Sequence, residues 1–112
     1  MSKFLILKTA VTSGSGVGSQ SARFVVGINN ILTLKRSAVN QIDIHYTSGK
    51  QLNIILTDNM SVGDESASNF ISKQIQNLAA SSINTFEFPS IFPSNVKSAT
   101  GKNIGIGSIT IT

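Results

Sequence analysis

The chain has 112 residues, of which 40% are hydrophobic and 12% are charged, and its formal net charge is +4. This length allows one hydrophobic core, and the high apolar and low charged fractions indicate a chain that folds. It contains no cysteine, which excludes disulfides, thiolate metal sites and a cysteine nucleophile. We therefore expect one domain over residues 1–112, with a sheet-plus-helix core in residues 1–82 and a distinct segment in residues 83–112.

The first residues predict a strand rather than a targeting segment. An apolar run over residues 4–7 lies between Lys3 and Lys8. This run is too short for the core of a signal peptide or for a membrane span. We therefore expect a cytoplasmic protein with no membrane partner.

A Gly- and Ser-rich stretch over residues 12–21 predicts a loop. It lacks the G-x-G-x-x-G order and the following Lys-Ser/Thr pair, so a nucleotide-binding loop is not indicated. Residues 22–28 then predict a second strand. Asn29 and Asn30 favour a tight turn, and the pattern allows residues 31–36 to be a third strand or a bent continuation of the second.

The strongest pattern covers residues 41–80. Apolar and polar residues alternate on both sides of a glycine-containing turn over residues 47–50, which is typical of a β-hairpin. Residues 64–80 then predict an amphipathic helix, because apolar side chains recur at helical spacing. Asn59 or Ser61 is expected to cap this helix. Its apolar stripe, expected to pack on the hairpin, consists of Ala67, Phe70, Ile71, Ile75, Leu78 and Ala79.

Residues 83–94 carry three of the six phenylalanines and both prolines. Proline disfavours a central strand, so we expect an extended course that buries its aromatic rings on its own chain or on a neighbouring copy. Residues 104–112 predict a last strand with a bulge at Gly107 and Ser108. An apolar terminal strand needs a partner. The candidate subunit-interface residues are therefore Phe86, Phe88, Phe92, Ile109 and Ile111.

Catalytic chemistry is not indicated by the sequence. The single histidine, His45, shares one face of its predicted strand with Asp43 and Thr47, and it faces Asn53 or Gln51 across the hairpin. A metal site needs at least three ligands, and the chain has no Gly-x-Ser-x-Gly nucleophile elbow. We expect no enzymatic activity, no metal and no cofactor.

The net positive charge of the chain makes nucleic acid a candidate partner. Arg23, Lys35 and Arg36 lie on predicted strands, and Lys50 lies in the hairpin turn. A curved sheet that carries such residues can hold phosphates while aromatic side chains stack on bases. An RNP-type aromatic motif is missing, so nucleic-acid binding is the alternative to an assembly role.

Residues 28–34 (INNILTL) and 41–50 (QIDIHYTSGK), followed by a short strand and a helix, resemble small uncharacterised proteins encoded by marine cyanophages. The resemblance covers residues 1–80 and implies a phage-encoded protein, located in the virion or the host cytoplasm. The order of strands and helix is also similar to the single-stranded nucleic-acid-binding fold of the PC4 and Whirly families, which back a curved four-stranded sheet with helix.

The predicted fold class is α+β, with an antiparallel sheet of about five strands, one amphipathic helix packed on one face and a C-terminal extended arm. The arm is expected to cover a sheet edge or to reach a neighbouring subunit. The favoured function is a non-enzymatic, phage-type binding or assembly protein that forms a homo-oligomer. The alternative is a single-stranded nucleic-acid-binding module.

Overall fold

The structure, a computed structural model, describes residues 2–9 and 23–112. These residues form an α+β fold with one helix and seven strands in two sheets. The loop predicted over residues 12–21 lies outside the described residues. The elements in chain order are β1 (Phe4–Lys8), β2 (Arg23–Gly27), β3 (Ile31–Ala38), β4 (Gln41–Tyr46), β5 (Gln51–Leu56), α1 (Ser66–Ala80), β6 (Thr85–Glu87) and β7 (Ile106–Ile111).

The larger sheet contains the predicted hairpin and has the strand order β3-β4-β5-β7, with every neighbouring pair antiparallel. Gly49 adopts a φ of 91° in the turn between β4 and β5, a conformation that glycine tolerates without steric cost. Period-two alternation places the apolar side chains of the hairpin on one buried face. That face consists of Ile42, Ile44, Leu52, Ile54 and Leu56.

The smaller sheet has the order β2-β1-β6, in which β1 pairs antiparallel with β2 and parallel with β6. The sequence predicted that β1 and β2 share one sheet with the hairpin, and the structure separates them. The separation begins at Asn30, whose φ of 66° is left-handed and turns the chain from β2 into β3. The strand of residues 31–36 is therefore a third strand. The two sheets meet at a single described bridge between Thr9 and Ile106.

Helix α1 begins at Ser66 rather than at residue 64. Asp64, not Asn59 or Ser61, accepts a hydrogen bond from the Ser66 backbone N–H at 3.0 Å, and that bond lowers the pKa of Asp64. At the other end, Lys3 Nζ donates to the Leu78 carbonyl oxygen at 2.8 Å. A cation at this position interacts favourably with the negative end of the helix dipole.

The apolar stripe of α1 faces the core as the periodicity predicts. Ala67, Ile71 and Leu78 are buried, whereas Phe70 and Ile75 are half-buried. Ala79, which the periodicity also assigned to the stripe, is exposed. The helix contacts β3 of the larger sheet and β6 of the smaller sheet, so it packs against both sheets. Within the described residues, no helix has both the length and the apolar character needed to cross a membrane.

The segment after α1 folds back on its own chain. Strand β6 lies beside β1, and the Phe88 backbone N–H donates to the Ile6 carbonyl oxygen at 2.8 Å. Phe88 is 0% exposed and Phe92 is 3% exposed. Their rings contact the half-buried Phe70, edge-to-face for Phe88 and tilted for Phe92, with centroid distances of 5.6 Å and 5.2 Å. Of the two predicted courses for this segment, the structure has the one within a single subunit.

Strand β7 pairs with β5 and is the last strand of the larger sheet. Its register shifts opposite Ile55 and Leu56, which face Ser108 and Ile106, so Gly107 is the extra residue. The bulge predicted at Gly107 and Ser108 is therefore confirmed. This strand covers one side of β5, as the sequence predicted for a C-terminal arm that caps an edge.

Replacing Phe88 with Ala is expected to lower the free energy of unfolding by about 3–5 kcal/mol, because the ring is fully buried and its loss leaves a cavity. Phe4→Ala is the matched control, since Phe4 is 38% exposed on the outer face of the smaller sheet. The control should lose clearly less stability. Urea unfolding of both variants measures the difference, and equal losses would contradict the placement of Phe88.

Candidate functional site

The outer face of the larger sheet is polar. The register places Asp43 between Lys35 and Asn53, and it places His45 opposite Gln51. The sequence left Asn53 and Gln51 open as the neighbour of His45, and the structure selects Gln51. The two titratable residues Asp43 and His45 therefore share one face of β4, as predicted.

Asp43 and His45 are held differently. Asp43 is 4% exposed and accepts a hydrogen bond from Gln41 Nε2 at 2.9 Å. His45 Nε2 is buried and has no hydrogen-bond partner. A general base needs a group that orients it towards the proton it takes, and the described contacts show no such group at His45 Nε2. Among the residues that the structure describes, no group of three or more His, Cys, Asp and Glu residues is placed to hold a metal ion.

Arg36, one of the candidate nucleic-acid contacts, is engaged within its own chain. Its Nη1 atom donates to the Asp64 carbonyl oxygen at 2.6 Å, and its Nε atom donates to the Ala38 carbonyl oxygen at 3.2 Å. These bonds tie β3 to the turn that precedes α1. Arg36 therefore has a structural role that the sequence did not reveal.

Arg23 is also paired, on the outer face of the smaller sheet. Its Nη1 atom lies 2.7 Å from Glu87 Oε1, and Lys8 Nζ lies 3.0 Å from Glu87 Oε2. Strands β2, β1 and β6 each supply one member of this ion-pair cluster. The sequence did not signal the cluster, because the residues that form it are far apart along the chain.

The four candidate nucleic-acid contacts lie on different surfaces. Lys35 is exposed on the outer face of the larger sheet, and Arg36, the next residue on β3, points to the opposite face. Lys50 is exposed in the hairpin turn, while Arg23 belongs to the smaller sheet. The described part of the chain therefore does not gather these four cations into one basic patch.

The predicted interface residues separate into buried and exposed members. Phe88 and Phe92 lie in the core of their own chain, and Phe86 is half-buried beside them. Parallel pairing of β6 with β1 places this segment beneath the helix, so the Phe88 and Phe92 rings pack against Phe70 of the same chain. Ile109 is 8% exposed, whereas Ile111 is 63% exposed. Ile111 is therefore the most exposed of the five candidates, and Phe86 is partly accessible.

Strand β7 is the uncharged edge of the two sheets. The other edge strands carry charged residues: β2 has Arg23, β3 has Lys35 and Arg36, and β6 has Glu87. Charged side chains at an edge discourage pairing with another chain. In the described residues, the side of β7 away from β5 carries only the bridge from Ile106 to Thr9. The sequence shows which predicted strands carry charged residues, but it does not show which strands lie at the sheet edges. The uncharged edge could therefore not be identified from the sequence.

Two concave regions flank α1. One pocket of about 220 Å³ lies between the end of the helix and the chain that follows it, and a shallower hollow of about 400 Å³ lies beside its first half. Neither lining includes a His, Asp or Glu residue. Among the described residues of these two linings, the one ionisable side chain is Lys73, in the larger hollow.

Comparison with protein-family models, with curated proteins and with solved structures found no match for this chain. The resemblance to cyanophage proteins and to the PC4 and Whirly families stays a prediction. The surfaces described above therefore carry the functional proposal.

The hydrogen bond from Lys8 and the nearby Arg23 charge hold the pKa of Glu87 below its ordinary value. Lys8→Gln should raise this pKa in an NMR titration, whereas Lys50→Gln, in the hairpin turn of the larger sheet, should leave it unchanged. Because the folded pKa is lowered, the stability from this cluster is present above the pKa of an unfolded glutamate and is lost as pH falls through the folded value. An unshifted Glu87 in the wild-type protein would contradict the cluster.

Proposed function

We propose that this is a non-enzymatic binding and assembly protein that associates with itself through a sheet edge. The observation that carries the proposal is strand β7, which lies at an edge, contains no charged residue and leaves Ile111 63% exposed. Pairing with a second strand would satisfy its outward backbone groups and cover apolar surface at the same time.

The other long edge is less suited to this role. Strand β3 also exposes a large apolar residue, Leu32, which is 65% exposed. Lys35 and Arg36 follow it on the same strand. Two copies brought together at this edge would set these charges against one another, and such repulsion disfavours association.

Assembly is also better supported than nucleic-acid binding. A single-stranded nucleic-acid groove needs a continuous positive track with accessible aromatic side chains. Arg36 and Arg23 are engaged with groups of their own chain, and Lys35 and Lys50 are apart from them. Tyr46, the one tyrosine, is half-buried and its hydroxyl donates to the Gly27 carbonyl oxygen at 3.0 Å.

The proposal extends to the organisation and location of the chain. One hydrophobic cluster joins residues of 1–82 with residues of 83–112, including Leu5, Ile71 and Phe88, which supports one domain over residues 1–112. The cyanophage resemblance and the absence of cysteine support a cytoplasmic location, or the virion and host cytoplasm for a phage-encoded chain.

The wild-type protein is expected to show concentration-dependent self-association in sedimentation velocity. Ile111→Lys should raise the dissociation constant at least about tenfold, because it places like charges at the contact. Leu32→Lys is the matched control, since Leu32 is 65% exposed on the other edge strand, and it should sediment like the wild type.

A monomer at every concentration would contradict self-association. Loss of association in Leu32→Lys but not in Ile111→Lys would move the contact to β3. Tight binding of labelled single-stranded DNA that falls steeply with salt would instead favour the nucleic-acid alternative.

A further inference from the structure

The backbone N–H and C=O groups of β7 point alternately towards β5 and away from it. The outward-pointing groups determine how a further strand can pair with β7. Gln51 N–H donates to the Thr112 carbonyl oxygen at 3.1 Å, and Thr112 N–H donates to the Gln51 carbonyl oxygen at 2.9 Å. In an antiparallel ladder such reciprocal pairs alternate with pairs that exchange no hydrogen bond. Thr110 therefore directs its backbone groups towards β5, and Ile109 and Ile111 direct theirs away from it.

We infer that two copies of the chain pair β7 with β7 in an antiparallel fashion, about a twofold axis that passes at Thr110. This inference rests on the proposed self-association and specifies its contact. In this register Ile109 lies opposite the partner's Ile111, and Thr110 lies opposite the partner's Thr110. The outward backbone groups of Ile109 and Ile111 then meet their equivalents and form reciprocal hydrogen bonds.

The side chains are self-complementary in the same register. Ile109 and Ile111 lie on the face of β7 that carries the buried Leu52 and Ile54 of β5. Placing Ile109 beside the partner's Ile111 covers the isoleucine that is 63% exposed in the single chain. On the opposite face, Thr110 meets the same uncharged residue, and threonine pairs are favourable across strands.

The neighbouring register fits less well. A shift of the twofold axis to Ile109 would set Ile111 opposite the partner's Gly107, which offers no side chain to cover it. It would also set the partner's Thr112 opposite Ile106, where Thr9 already lies. The axis at Thr110 avoids both conflicts.

Pairing in this way joins two four-stranded sheets into one continuous sheet. Asn53 Nδ2 donates to Thr110 Oγ1 at 3.4 Å, so the polar rows of the two outer faces meet at the axis. The partner is therefore a second copy of this chain, bound through its backbone edge and two isoleucines.

Because the chain contains no cysteine, single cysteines report the register directly. Thr110 is exposed and should tolerate replacement. Opposite residues in a pair without hydrogen bonds have Cα atoms about 4.5 Å apart, which suits a disulfide. Mild oxidation of Thr110→Cys by oxidised glutathione should give a covalent dimer on a non-reducing gel. The control Ile109→Cys, which lies off the axis, should remain largely monomeric under the same treatment.

The double variant Thr110→Cys/Ile111→Lys should lose at least about tenfold of the crosslinking rate, since the added charges oppose pairing. Crosslinking of Ile109→Cys in place of Thr110→Cys would overturn the register. A wild-type dimer in sedimentation with no crosslink from Thr110→Cys would overturn the β7 contact and leave self-association standing. A wild-type monomer would overturn both.

Discussion

The aromatic contact between α1 and the segment that follows it holds the two sheets around one core. Phe88 and Phe92 are fully or nearly fully buried beside the half-buried Phe70 of the helix. Burying aromatic side chains of this size contributes more to folding than a surface ion pair such as Arg23–Glu87. The core therefore depends on residues that come after the helix, and a chain without them would leave the helical stripe and the inner faces of both sheets partly open to water.

The same contact decides where the last strand lies. The Phe92 backbone N–H donates to the Ile104 carbonyl oxygen at 2.7 Å, and the Thr57 N–H donates to the Gly105 carbonyl oxygen at 2.9 Å. These bonds place residues 104 and 105 beside the aromatic segment and the end of β5, so the following residues pair with the side of β5 away from β4 and form β7. Closing one edge of the hairpin sheet creates another edge one strand further out. The surface proposed for assembly is a direct consequence of how the core is filled.

Elements with local signals could be predicted from the sequence, and contacts between distant segments could not. The hairpin, the stripe of α1 and the bulge at Gly107 follow from periodicity within a few residues. The parallel pairing of β1 with β6 joins segments separated by most of the chain, and no local pattern encodes it. For the same reason the sequence did not reveal that Arg36 binds the Asp64 carbonyl oxygen. The sequence proposed Ile111, Phe88 and Phe92 alike as interface candidates. It could not show that Ile111 is exposed in the single chain while Phe88 and Phe92 are buried, because their burial follows the parallel pairing.

The four edge strands differ in charge, and β7 is the one without a charged residue. This difference indicates that β7 is an edge suited to pairing with another strand. Ser108 and Thr110 are exposed on its outer face, so a lysine or glutamate at either position would cost little folding energy and would protect the edge. The strands β2, β3 and β6 carry such charges. On β7 the exposed positions are Gly107, the hydroxyl residues Ser108 and Thr110, and Ile111. An unprotected edge exposes apolar surface without benefit to a monomer, whereas in a paired edge the same residues bury that surface and complete the backbone ladder.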